Sequence, residues 1–193
     1  MSYTYEFGKD WAGLKTILSS QDSASYAYEM DNFFDSDKTN FAPTNVDSSE
    51  AFTLYAKDSA NGTVIATYAA RKLDYLRYQK WMKTRTENAG GTYYGDSNTV
   101  PDGIRWYSSC QWTHPNHRNS GLGATMDSKK KLKIQELGGT VNYANHRQDL
   151  RNYHINDLGY DSSVYQAFIP SGGLGGSGSD SDRHYYICFE TLS

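Results

Sequence analysis

His114-Pro115-Asn116-His117-Arg118-Asn119-Ser120-Gly121-Leu122-Gly123-Ala124 is a polar, glycine-bearing turn between a β-like run and a helix-like run. An arginine followed by a Gly-x-Gly that opens into a helix presents several unpaired backbone N–H groups, and the positive end of a helix dipole, to one point in space. The stretch therefore reads as an anion site. A P-loop would need Gly-Lys-Ser/Thr, but Gly123 is followed by Ala124-Thr125. A dinucleotide fingerprint would need a small residue where Met126 stands and a first strand opening a βαβ unit. A third phosphate pattern, Arg/Gln-x-x-Gly-x-Gly/Ala between a fourth strand and a long helix, fits Arg118 to Gly123.

Outward from this turn the chain alternates strands and helices. Ser2 to Phe7 reads as a strand and Trp11 to Leu18 as a helix capped by Asp10, with a second helix from Ser25 to Phe34 and a polar loop from Asp35 to Ser49. Phe52–Lys57 and Thr63–Ala69 flank Asn61-Gly62 and predict a hairpin. Leu73, Leu76, Trp81 and Met82 mark a helix to Thr86, whose basic residues are expected on a solvated face, and Glu87 to Gly103 reads as a loop. Ile104–Trp112 is the strand entering the turn and Leu122–Leu137 the helix leaving it. Lys130 and Lys133 break that helix's apolar stripe, with ammonium groups expected to reach water, and Gly138-Gly139 supplies a stop. Thr140–Ala144, a short helix Leu150–Leu158 ending at Gly159, Val164–Ile169, a flexible Gly/Ser loop over 170–182 and His184–Thr191 complete the chain. The order β-α-α-β-β, an excursion, then β-α-β-α-β-β, indicates a mixed α/β sheet in a single domain.

The 193 residues and 37% hydrophobic content fit one soluble globular domain. A net charge of -3 gives no general reason to bind nucleic acid. No apolar run approaches the roughly 20 residues of a membrane span, so no membrane partner is expected. Cys110 and Cys188 stand singly, which predicts a reduced, cytoplasmic setting. The five histidines show no ligand spacing and the cysteines no pairing, so no metal is expected. Seventeen tyrosines against seven phenylalanines predict wet, half-buried surfaces, because each hydroxyl needs a partner or water.

Arg118-Asn119-Ser120-Gly121-Leu122-Gly123 resembles the pyrophosphate-binding motif of the Gcn5-related N-acetyltransferase (GNAT) family. His114-Pro115 before the arginine resembles the family's lead-in, and Leu158-Gly159-Tyr160 resembles its later Leu-Gly-Phe signature. The element order agrees over nearly the whole chain, and the excursion over 73–103 departs from the compact pattern as a specific insertion. The resemblance implies one acetyltransferase-like domain over 1–193 and an acetyl-CoA-dependent N-acyltransferase, with acetyl-CoA as co-substrate and a small-molecule or peptide amine as acceptor. It implies that Trp112, Thr113, Arg118, Asn119, Ser120, Gly121, Leu122, Gly123, Ala124 and Asn145 hold the coenzyme. The pantetheine arm would lie where the strand ending at Thr113 splays from the one ending near Asn145. Exposed strand edges in such folds often pair, which makes a homodimer an expectation.

Acyl transfer needs a neutral amine, an oriented thioester, oxyanion donors and a proton for the leaving thiolate. Backbone N–H groups near Trp112 to His114 are placed for the oxyanion. Many family members keep a tyrosine proton donor where this chain has Ile155, which cannot donate; at about 100° per residue Tyr153 and His154 point elsewhere on a helix. Base candidates are Tyr107 and Tyr143 on the central strands and His114 or His146, each with packing or loop polarity as the competing role. Glu29, Asp31 and Asp35 are candidates for recognising a cationic acceptor, and the 170–182 loop for covering it. Without a clear acid or base, a non-catalytic acyl-CoA-binding or sensing module and a tyrosine-rich interaction protein that keeps only the fold stay open.

Overall fold

The computed structural model describes residues 2–20, 50–173 and 182–193, with only the backbone of residue 149. The expected helix Ser25–Phe34, the loop Asp35–Ser49 with Glu29, Asp31 and Asp35 around it, and most of the 170–182 loop lie outside the described residues. The strands are β1 (Tyr3–Gly8), β2 (Ala51–Asp58), β3 (Val64–Lys72), β4 (Thr92–Tyr93), β5 (Arg105–Thr113), β6 (Val141–Arg147), β7 (Ser162–Ile169) and β8 (Arg183–Thr191). They form an eight-stranded sheet in the order β1-β2-β3-β5-β6-β8-β7-β4, with helices α1 (Trp11–Ser20), α2 (Tyr75–Asn88) and α3 (Leu122–Glu136). The mixed α/β class expected from the sequence is the one observed. The chain divides into two compact units, Met1–Arg71 with Ser108–Gly138, and Lys72–Tyr107 with Gly139–Ser193. No helix among the described residues is long and apolar enough to cross a membrane.

In the first unit β1, β2 and β3 form an antiparallel ladder, with Tyr5 opposite Ala56 and Leu54 opposite Tyr68. The Asn-Gly hairpin forms because Gly62 takes φ 75, which glycine adopts without steric cost, and its N–H donates to the Asp58 carbonyl at 2.8 Å. Asp10 caps α1 by accepting from the Gly13 N–H at 2.9 Å, and Leu14 and Leu18 are buried one helical turn apart. Gly138 at φ 80 ends α3, its N–H donating to the Gln135 carbonyl. Within β5, Cys110 takes φ 58, a left-handed residue that interrupts the extended strand, and its carbonyl accepts from the Thr67 hydroxyl.

Lys130 departs from expectation. Its ammonium does not reach water: the side chain is fully buried, with Nζ 2.6 Å from Asp127 Oδ1 and 4.8 Å from the centre of the Tyr68 ring. Lys131 pairs with the other Asp127 oxygen at 2.8 Å, and the Tyr68 hydroxyl donates to Oδ1 at 3.2 Å. A buried carboxylate is tolerated only where cations and donors replace its water, and here three groups do so. Lys133 lies nearer the surface and pairs with Glu136.

The second unit holds β6, β8, β7 and β4 in an antiparallel ladder, with Tyr143 opposite Phe189 and Val164 opposite Ile187. The expected excursion contributes α2, capped by Asp74, which accepts from the Leu76 and Arg77 N–H groups. Its buried face is Tyr75, Tyr78, Gln79, Trp81, Met82, Arg85 and Thr86, whereas Leu76 is 58% exposed. Aromatic bulk at Tyr75, Tyr78 and Trp81 outweighs one leucine and turns the helix by about one residue. The basic residues also divide: Arg77, Lys80 and Lys83 are exposed, but Arg85 is buried with its guanidinium over the Trp81 and Tyr185 rings. The tyrosines divide: Tyr75, Tyr78, Tyr107 and Tyr143 are fully buried rather than wet, whereas Tyr3, Tyr5, Tyr93, Tyr153, Tyr165 and Tyr186 are half-buried as expected.

Replacing Asp127 by Ala leaves the Lys130 charge buried without its carboxylate and should cost about 3–5 kcal/mol in urea unfolding. Burial raises the Asp127 carboxyl, but Lys130 and Lys131 outweigh it and hold the group below the usual carboxylate range. Its stabilising contribution is therefore full at neutral pH and is lost as pH falls through that depressed value. The stability gap between the native chain and Asp127→Asn should narrow below about pH 4.

Candidate functional site

The turn between β5 and α3 is built from short-range constraints. Pro115–His117 form a 3-10 turn whose cap is His114, with Nδ1 accepting from the Asn116 N–H at 3.2 Å. Arg118 lies back along the strand end, Nε donating to the Thr113 carbonyl at 3.0 Å. Asn119 and Gly121 both adopt left-handed backbone, at φ 58 and φ 76, and the Ser120 hydroxyl ties the loop to the His117 carbonyl at 2.6 Å. A Cβ at Gly121 would meet nothing within 4 Å, so glycine is required there by dihedral angle and not by space. Leu122 is buried and seats the helix start, and the first helical bond runs from the Thr125 N–H to the Gly121 carbonyl.

The consequence is a concentration of donors. Among the described residues no acceptor meets the backbone N–H groups of Asn119, Ser120, Gly121, Leu122, Gly123 and Ala124. They lie on an exposed loop and the first helical turn, with left-handed backbone at Asn119 and Gly121. The terminal nitrogens of Arg118 also donate to nothing among the described residues. Gly123 lies within the regular helix, so its φ does not require glycine. Trp112 is buried with its ring nearly perpendicular to that of His114, at 81°, and Thr113 is half-buried. The His114 N–H donates to the Ile65 carbonyl at 2.8 Å, which removes it from the expected oxyanion donors.

His114 is also poorly suited as a base. With Nδ1 accepting from backbone, the neutral ring carries its proton on Nε2 and presents a donor. His117 meets the Tyr3 hydroxyl at 3.3 Å through Nδ1.

In the second unit the other sequence candidates are tied into a buried polar cluster. The Tyr143 hydroxyl donates to the Leu73 carbonyl at 2.9 Å, and the Tyr107 ring packs against Tyr78 and Tyr143. Asn145 Nδ2 donates to the Tyr78 hydroxyl at 2.7 Å and to Gln166 Oε1 at 3.1 Å, while Tyr78 donates to the same Oε1 at 3.2 Å. Burial holds Tyr75 and Tyr78 above the ordinary phenol range, so both are neutral donors. Tyr78 and Gln166 were missed in the sequence. The tyrosine excess was their signal, but it did not say which hydroxyls converge.

The segment after β6 winds differently from the helix expected over Leu150–Leu158. Tyr153–Asp157 form a π-helical turn, with the Leu158 N–H on the Tyr153 carbonyl and the Tyr160 N–H on the His154 carbonyl. Wider winding replaces the assumed 100° step, so His154 is the buried residue and Ile155 is half-buried. The His154 ring stacks on His146 at 4.4 Å between centroids, and both approach Cys188. The sequence spacing excluded such a grouping; the fold makes it. His146 is engaged at both nitrogens, Nδ1 donating to the Arg147 carbonyl and Nε2 meeting the Ser163 hydroxyl.

No family model and no curated protein matches the sequence. Solved structures do match the fold. A protein of Desulfovibrio desulfuricans assigned to the GNAT acetyltransferases is similar over all of both chains, with a TM-score of 0.59 at 8% identity. YncA of Salmonella typhimurium, assigned as an acetyltransferase and solved with its cofactor acetyl-CoA, is similar over all of this chain and 95% of its own, with a TM-score of 0.51 at 15% identity. A chain of the NatC complex bound to Gag peptide and CoA is similar over all of both chains, with a TM-score of 0.54 at 10% identity. Eight strands in this order, with a donor-rich turn leading into α3, give the chain the fold of the GNAT acetyltransferases.

Proposed function

We propose that the chain is an acetyl-CoA-dependent N-acetyltransferase and that all 193 residues act as one acetyltransferase-like domain, a reading supported by neighbours that match from end to end. The observation that carries the proposal is the row of backbone N–H groups from Asn119 to Ala124, beside Arg118. A diphosphate offers several anionic oxygens at the spacing of successive N–H groups, and the α3 dipole adds to the attraction. Thr113 positions Arg118, and Leu122 fixes the helix start, so each contributes by holding a donor in place.

In the reaction the amine nitrogen attacks the thioester carbonyl carbon, the C–N bond forms, the C–S bond breaks, and the proton lost by nitrogen ends on the coenzyme A thiol. The base role is assigned to none of Tyr107, His114 and Tyr143, because each is committed to packing, a cap or a backbone carbonyl. The acceptor class is a small-molecule or peptide amine; the neighbour with a bound peptide supports the second form. A second reading, acyl-CoA binding without turnover, is favoured by the burial of Tyr107 and Tyr143.

Calorimetry with coenzyme A should show saturable binding to the native chain. Gly121→Val forces a β-branched residue into left-handed backbone, and Arg118→Ala removes a cationic donor, so each should weaken binding about tenfold or more. Unchanged affinity in both rejects the site. Incubation with acetyl-CoA and a mixed amine library, read by mass spectrometry, should reveal a product that gains an acetyl group as free thiol appears. Binding without thiol release selects the second reading.

A further inference from the structure

The strongest unassigned feature is the cluster of His146 on β6, His154 on the π-helical turn and Cys188 on β8. All three are buried, and their ligand atoms lie within 4.8 Å of one another. Carbonyl oxygens accept only, so Nδ1 of His146 donates to the Arg147 carbonyl at 3.0 Å, and Nδ1 of His154 donates to the Leu150 carbonyl at 2.9 Å. Each neutral ring then has its lone pair on Nε2. This is the outer support that ligating histidines characteristically have: the distal N–H is held by backbone and the tautomer is fixed. The Cys188 thiol, 3.5 Å from the Ala144 carbonyl, supplies a soft sulfur, and the Ser163 hydroxyl lies 3.2 Å from His146 Nε2.

We propose that His146, His154 and Cys188 form a binding site for a zinc(II)-class ion. Two imidazole nitrogens and a thiolate match the preference of that ion for nitrogen and sulfur, with a water in the fourth position. With metal–ligand bonds of about 2.0–2.3 Å, neighbouring ligand atoms in a tetrahedron lie about 3.3–3.8 Å apart, so the cluster closes in by about 1 Å on loading. The two rings are nearly parallel, at 11°, and one must turn until its plane contains the ion. Loading therefore breaks the stack. It also converts the Cys188 thiol to thiolate and releases one proton to solvent, so affinity falls in acid. Apolar side chains would fill this space without desolvating two imidazoles, which is why packing alone does not account for the convergence.

Cobalt(II) is the probe. The reduced native chain should take up one equivalent at micromolar concentration, with a thiolate-to-cobalt charge-transfer band and the intense visible bands of a tetrahedral ion, and zinc(II) should displace it. Cys188→Ser should lose the charge-transfer band and His154→Gln should weaken uptake at least tenfold, while Cys110→Ser and His184→Gln keep both. Zinc should raise the melting temperature of the native chain by about 5 °C at saturating excess and leave Cys188→Ser unmoved. If a variant fails to fold, imidazole NMR of the native chain decides: zinc should shift His146 and His154 and leave His114, His117 and His184 in place. No stoichiometric uptake, uptake unchanged in Cys188→Ser, or shifts confined to the other three rings would overturn the proposal. None of these readouts depends on acetyl transfer.

Discussion

A helix cannot satisfy its own first N–H groups, and the candidate site rests on that constraint. Most helices meet it with a side-chain cap; α1 and α2 use Asp10 and Asp74. At α3 the cap position is Gly121, which has no side chain to offer, and the preceding Asn119 and Ser120 leave their N–H groups outward as well. The donors stay available because the backbone is held from both sides: Arg118 is tied to Thr113, Ser120 to His117, and Leu122 is sunk in the core. An exposed helix start without a cap costs little where water can reach it, and it is poised to exchange that water for an anion.

The same helix carries a second electrostatic feature on its inner face. Asp127 with Lys130, Lys131 and the Tyr68 hydroxyl forms a network in which two ammonium groups and a hydroxyl share one buried carboxylate. Such pairs add little net stability over apolar packing, but they penalise any shift of the helix that would separate them. A role in fixing the rotation of α3, and with it the direction of its first N–H groups, follows from that penalty.

In the second unit, buried polarity is handled by side chains that satisfy one another. Tyr78, Asn145 and Gln166 exchange hydrogen bonds, and Tyr143 meets a backbone carbonyl, so the tyrosine-rich composition describes a core whose hydroxyls are used internally. This commits the Tyr107 ring to packing and the Tyr143 hydroxyl to a backbone carbonyl, away from the roles that their strand positions suggested.

Local sequence dictates whatever depends on neighbouring residues: the Gly-x-Gly turn at 121–123 that opens a helix, the Asn61-Gly62 hairpin, the Asp10 cap and the stop at Gly138. These are steric and hydrogen-bonding choices made within a few residues, and they order the elements well enough to indicate the fold. Tertiary structure decided which face each helix buries and which distant polar groups meet. Leu76 turned outward because three larger residues outweighed it, and Lys130 turned inward because Asp127 and Tyr68 receive its charge. His154 reached His146 and Cys188 only through a π-helical turn whose winding depends on how the segment packs. Periodicity assumes a uniform helix and a choice between apolar and polar; it does not register a changed turn or a partner supplied by another strand.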